Sequence, residues 1–140
     1  MRPLHCRLTS QPSLSHDEIR DWLDGLSWPA AERDALLLAV AEAIGNAVEH
    51  AYHGAAGEVT VRGRQEFIRT GLRQVVLTVT DQGRWRSAQH CQPPRGQGLG
   101  LIRELTAELR IEPGPSGTRV RLVSRPVARL VPTRRPETGG

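Results

Sequence analysis

The stretch AEAIGNAVEHAY, residues 41–52, decides how the chain is read. Its Ala, Val and Ile make an apolar helix, yet Glu42, Asn46 and His50 recur at every fourth position, with Glu49 and His53 close by. At about 100° per residue, Asn46 falls about 40° from Glu42, His53 about 20° from it and Glu49 about 20° to the other side. Gly45 lies on the same flank, where a missing side chain lets a ligand approach the backbone. The remaining directions carry Leu36, Val40, Ile44, Ala47 and Val48, as in a helix buried within a layer. A solvated edge explains such a stripe, and so does a ligand site.

Upstream, Leu4 to Thr9 alternates weakly, as an edge strand does. Ser15 and Glu18 have the spacing of a capping box, and Ile19, Trp22, Leu23 and Leu26 follow on one helical face. Gly25, Ser27 and Pro29 separate this helix from a second one, which runs from Ala30 to about Tyr52 and ends at Gly54 and Gly57. Downstream, Val59 and Val61 open a strand that reaches Phe67, Thr70-Gly71 turns the chain, and Leu72 to Thr80 is a β-branched central strand. DQGRWRSAQHCQPPRGQGLG, residues 81–100, breaks all periodicity. A short helix from Leu99 to Ala107 and a hairpin of Leu109–Ile111 with Thr118–Val123 follow. This order implies a two-layer α/β (α+β) sandwich: a mixed, largely antiparallel sheet with helices on one face, in one domain over residues 1–124. Residues 125–140, with three prolines and no pattern, read as a disordered tail.

A chain of 140 residues suits one such domain. Its net charge of +4 comes entirely from arginine, with no lysine. Arg125, Arg129, Arg134 and Arg135 against Glu137 put most of that excess in the tail and leave the body near neutral, which argues against nucleic-acid binding. No apolar run approaches the roughly 20 residues of a membrane span, and the N-terminus lacks the apolar centre of a secretory signal, so a cytoplasmic location is expected. Cys6 and Cys91 are far apart and in no metal-like spacing, although His90 adjoins Cys91; free thiols are the simpler reading.

Three further motifs carry chemistry, each weak alone. TDQG, residues 80–83, ends the strongest strand: Asp81 is an acceptor for an N–H donor such as a purine amino group, and Gly83 lets a flat ring come close. RGQGLGLI, residues 95–102, has glycines at 96, 98 and 100 leading into a helix, whose N-terminus offers free N–H groups to phosphate. It is neither a dinucleotide fingerprint nor a Walker loop, lacking the preceding strand and the Lys-Ser or Lys-Thr pair. Gly117-Thr118 enters the last strand, where a hydroxyl could support Asp81 or reach a base through water.

Taken in order, an E-x-x-x-N helix, a strand-end D-x-G, a G-x-G-L-G helix start and a G-T strand resemble the four nucleotide-binding boxes of the GHKL (histidine kinase-like, Bergerat-fold) ATPase superfamily. With His50 four residues after Asn46, EAIGNAVEHAY is most similar to the anti-sigma-factor serine-protein kinase branch. The resemblance covers about Ser15 to Val123. It implies ATP and Mg²⁺ as cofactors. Asn46 would ligate the metal and Glu42 would be the general base, while His50 matches a position near the phosphates. Asp81 would hold the adenine amino group, with Gly83 lining the base pocket and Thr118 behind it. Gly96, Gly98, Leu99 and Gly100 would line the phosphates. Trp85 stands where many members carry a second glycine, so the loop between Asp81 and the glycine-rich helix start departs there from the common pattern.

The function this resemblance implies is a serine/threonine protein kinase that sequesters a sigma factor and phosphorylates an anti-anti-sigma (STAS-type) protein, with a homodimer as a candidate assembly. An ATP-binding regulatory module without catalysis is the alternative. The catalytic half of a histidine kinase would need a dimerising hairpin with a phosphoacceptor histidine, and none is found ahead of the Glu-Asn helix. A nucleic-acid or membrane-surface binder would rest on the arginine tail alone.

Overall fold

The computed structural model describes residues 3–8, 12–51, 58–82, 97–115 and 117–129. Their elements run β1 (Leu4–Leu8), α1 (Pro12–Gly25), α2 (Ala30–Ala51), β2 (Val59–Arg69), β3 (Leu72–Asp81), α3 (Gln97–Leu105), β4 (Glu108–Gly114), β5 (Gly117–Val123) and β6 (Val127–Ala128). The strands form one sheet in the order β1-β2-β3-β5-β4, with β6 also on β3. Every pairing among them is antiparallel, a narrower arrangement than the mixed sheet expected. β1 lies at an edge, as its weak alternation suggests.

The core forms between this sheet and the helices. On α2, Leu36, Leu37, Val40, Ala43, Ile44 and Ala47 are buried, the spacing of one helical face. They meet alternate residues of the central strands, Val59, Val61, Val75, Leu77, Val79, Val120 and Leu122, together with Ile19, Leu23 and Leu26 near α1. Trp22 packs beside Gly63: a Cβ there would come 3.0 Å from the indole and 2.8 Å from Leu77 Cδ2. A side chain in that place would force the ring away from the sheet.

α1 starts at Pro12, so Ser15 lies inside the helix instead of capping it. Proline suits the first turn because its fixed φ is helical and its missing N–H would have no partner there. The helix ends in a Schellman arrangement: Trp28 N–H donates to Leu23 O at 3.0 Å and Ser27 N–H to Asp24 O at 2.9 Å, with Ser27 at φ 54. This turns the chain onto α2.

Arg73, at the start of β3, is buried and holds this corner together. Its guanidinium donates to Leu26 O (2.6 Å), Ser27 O (3.1 Å), Ala128 O (3.0 Å) and Gln65 Oε1 (2.9 Å), and lies 4.7 Å from the centre of the Trp28 ring. Burial pulls its pKa below the ordinary guanidinium value.

The segment expected to be disordered from Arg125 departs from that reading in residues 125–129. Ser124 N–H donates to Val75 O and Ser124 Oγ accepts from Val75 N–H, extending the ladder past β5. β6 then pairs Val127 with Arg73 and Ala128 with Leu72, and Val127 is buried. Two residues are too few to show a periodicity, which is why the sequence pattern misses them. Residues 130–140 lie outside the described residues, as do the N-terminal residues 1–2. No helix among the described residues is long and apolar enough to cross a membrane.

Cys6 is buried in β1, and its thiol is pushed up to about 11, first by burial and then by the charge and hydrogen bond of Glu18. It is therefore a protonated core residue at neutral pH.

Candidate functional site

Strand alternation places Arg73, Val75, Leu77, Val79 and Asp81 on the helix-facing side of β3, and the last of these is a carboxylate only 2% exposed. A buried carboxylate needs donors. The backbone N–H of Thr118 supplies one, at 3.2 Å from Asp81 Oδ1. The structure thus joins two of the expected site residues, through an amide where the sequence suggested a hydroxyl.

Gly117 makes that approach possible. A Cβ at this position would sit 2.0 Å from Asp81 O and 3.1 Å from Gln82 Cα. Any other residue would push the start of β5 off the end of β3. The β3–β5 ladder pairs Thr80 with Arg119, so its next step delivers the Thr118 amide to Asp81.

A cavity of about 390 Å³ lies at this end of the sheet, lined by Thr80, Asp81, Gln82, Glu112, Pro113, Gly114, Gly117, Thr118 and Arg119. Thr80, Glu112 and Arg119 face away from the helices, whereas Asp81 shares the side of Leu77 and Val79. Through these residues the cavity opens on the helix-free side of the sheet, whereas the Asp81 side chain points to the side on which α2 packs. Gln82 Nε2 donates to Glu58 Oε1 at 3.2 Å across the same rim. The parts of Glu112, Arg119 and Glu58 in this rim were not read from the sequence, because they depend on which strands become neighbours.

α2 packs on β2, β3 and β5 and carries the polar stripe. Glu42 and Asn46 stand one turn apart and are half-buried, while Glu49 is exposed. Asn46 Nδ2 is buried and has no hydrogen-bond partner among the described residues. An amide left this way is destabilising, by about 1–3 kcal/mol, unless something beyond the described residues satisfies it. A half-turn of the amide would put its oxygen in the same place, where a hydrated Mg²⁺ could be met by one protein oxygen. Next to it, a Cβ on Gly45 would meet nothing within 4 Å, so there is room on this flank. A hard cation with few protein ligands fits this donor set. His50 lies in the last turn of α2, and nothing is described of its side chain.

α3 begins at Gln97, two residues before the expected start, so Gly98, Leu99 and Gly100 belong to its first turn and not to a preceding loop. The first four N–H groups of a helix have no intrahelical partner, so these residues still present donors. Ile102 is fully buried and Thr106 Oγ1 donates to Ile102 O at 2.7 Å, fixing the far end of α3, which packs against α2. Gly83, Trp85, Gly96, His53, His90 and Cys91 lie outside the described residues.

Two comparisons bear on this arrangement. The chain is similar to the crystal structure of the RsbU and RsbW domains of Rv1364c from Mycobacterium tuberculosis, at 26% sequence identity and a TM-score of 0.68. The match covers 94% of this chain and 35% of that one, so the present chain spans about a third of its relative. The family model described as histidine kinase-like ATPase domain matches residues 10–124, from before α1 to the end of β5. The chain belongs to that family, the superfamily its four motifs resemble.

Proposed function

We propose that the protein is an ATP-dependent serine/threonine kinase of the anti-sigma-factor type, which sequesters a sigma factor and phosphorylates an anti-anti-sigma (STAS-type) partner in the cytoplasm. The observation that carries the nucleotide part is the buried Asp81, held by the Thr118 amide on the side of the sheet against which α2 packs. A carboxylate is an acceptor of the kind the amino group of adenine requires. Asn46, whose Nδ2 has no partner among the described residues, would meet Mg²⁺ through its side-chain oxygen. The first-turn N–H groups of α3 at Gly98 and Gly100 are the donors for phosphate.

Bound ATP and its metal would supply a transferable phosphoryl group with its charge partly neutralised. The chain positions the groups around it, which is most of what catalyses such transfers. Glu42, one turn before Asn46, takes the proton of the incoming serine or threonine hydroxyl. The likeness to a protein whose structure contains an RsbW domain supports the partner-switching reading.

Calorimetric titration of ATP, with and without Mg²⁺, into wild type and Asn46→Ala tests the site. Mg²⁺-dependent binding is expected in the wild type, and the metal's contribution is expected to disappear in the variant. A wild type that binds no nucleotide would end the proposal. Glu42→Gln is expected to keep ATP affinity and lose phosphate transfer to the anti-anti-sigma partner by about 100-fold or more. Transfer at the wild-type rate would remove Glu42 as the base.

A further inference from the structure

The near-neutral body of the sequence conceals a separation of charge that only the fold brings out. Helices α1 and α2 carry eight carboxylates and two arginines, whereas strands β1 to β5 carry eight arginines and four carboxylates. All three helices pack on one side of the sheet, so most of these arginines gather on the other. That face has Val76 and Val123 buried at its middle and a concavity of about 590 Å³. Its charged lining is Arg62, Arg64, Arg110, Arg119 and Arg121 against a single Glu112.

The register turns this cluster into a row. Arg62 pairs with Thr78, Thr78 with Arg121 and Arg121 with Arg110, so three guanidiniums lie on one line across four strands, about 14 Å long. Arg110 and Arg121 stand directly opposite each other, an arrangement of like charges that destabilises a sheet. Glu108 relieves it only loosely, at 3.5 Å from Arg110 and 3.4 Å from Arg121. Arg64, Arg110 and Arg119 keep 56%, 58% and 60% of their side chains exposed, and Arg62 has no ion pair among the described residues.

We infer that the helix-free face of the sheet is a docking surface for an acidic polypeptide segment lying across β2, β3, β5 and β4. Carboxylates on that segment complement the arginine row and remove the Arg110–Arg121 repulsion. A second copy of this chain fits less well, because a two-fold contact would set the arginines of the row against their own images. Nucleic acid also fits less well. No Phe, Tyr or Trp among the described residues lies on this face to stack a base, and Glu66, Glu108 and Glu112 would oppose phosphates. The inference does not depend on nucleotide binding, so nucleotide-free protein serves for its test.

Fluorescence anisotropy with a labelled glutamate-rich peptide measures the contact directly. Arg110→Glu/Arg121→Glu is expected to weaken binding by about tenfold or more, with Arg110→Gln/Arg121→Gln in between and thermal melts showing both variants folded. Affinity should also fall as salt is added. No binding by the wild type, or equal binding by the charge-reversed variant, would overturn the inference. So would tighter binding of an oligonucleotide of equal charge, or a sedimenting wild-type dimer that the reversal splits, since the face would then belong to a different partner.

Discussion

Strand β3 ends in a buried charge at each extremity, and the two are built in opposite ways. Arg73 is 3% exposed and Asp81 2%, and both sit on the helix-facing side of the same strand. Arg73 is enclosed by protein: three backbone carbonyls and a side-chain amide take its donors, and Trp28 covers its face. Asp81 is held by a backbone amide from a neighbouring strand and borders a cavity. Burial alone therefore does not separate a structural charge from one proposed to bind a ligand. What differs is the setting: protein groups ring Arg73 on several sides, whereas a cavity runs alongside Asp81.

The largest effect is expected at the closed end. Arg73→Ala strands the Leu26, Ser27 and Ala128 carbonyls without a donor. Unfolding stability should drop by about 4 kcal/mol, read by chemical denaturation. Arg73→Lys, which keeps the charge but not the planar fork, should lose roughly half of that. Any folded Arg73→Lys protein should bind ATP within a few-fold of wild type. An ATP affinity that collapsed with Arg73→Lys would mean that the two ends of β3 are not independent.

Asp81→Asn is the mirror experiment. The side-chain oxygen can still accept from Thr118 N–H, so stability should change by less than about 1 kcal/mol. The second polar atom becomes a donor and, in the proposed site, would face the adenine amino group with the wrong sign. ATP affinity should fall by about 100-fold, measured by calorimetry. A large loss of stability with affinity kept would recast Asp81 as another structural charge.

Of these two ends, the sequence displays the open one better. Asp81 stands out because a carboxylate, a glycine and a broken periodicity follow a strong β-branched strand. The stripe on α2 is legible for the same reason: local spacing determines which side chains share a helical face. Arg73, by contrast, looks like the polar start of a strand, since all its partners are distant in sequence. β6 escapes notice because it is two residues long, and the first turn of α3 because glycines obscure a helix start. The cationic sheet face is invisible in a linear charge count, which averages helices against strands. What depends on register or on neighbours far along the chain is read only from the fold.

Gly117 tests whether the open end is set by backbone fit as much as by the carboxylate. The Cβ of Gly117→Ala would come 2.0 Å from Asp81 O, closer than any atom pair tolerates, so β5 must move away from the end of β3. The β3–β5 pairs from Val76–Val123 to Thr80–Arg119 are anchored by buried Val79, Val120 and Leu122, so the shift should stay near Thr118. The expected loss of stability is about 2 kcal/mol, smaller than at Arg73. The Thr118 N–H would leave Asp81, and ATP affinity should fall by about tenfold, less than for Asp81→Asn. The decisive reading is hydrogen exchange at the Thr118 amide, which should be slow in wild type and fast in the variant. Slow exchange in both would mean that the amide keeps its acceptor despite the added methyl, and that the contact with Asp81 does not depend on glycine.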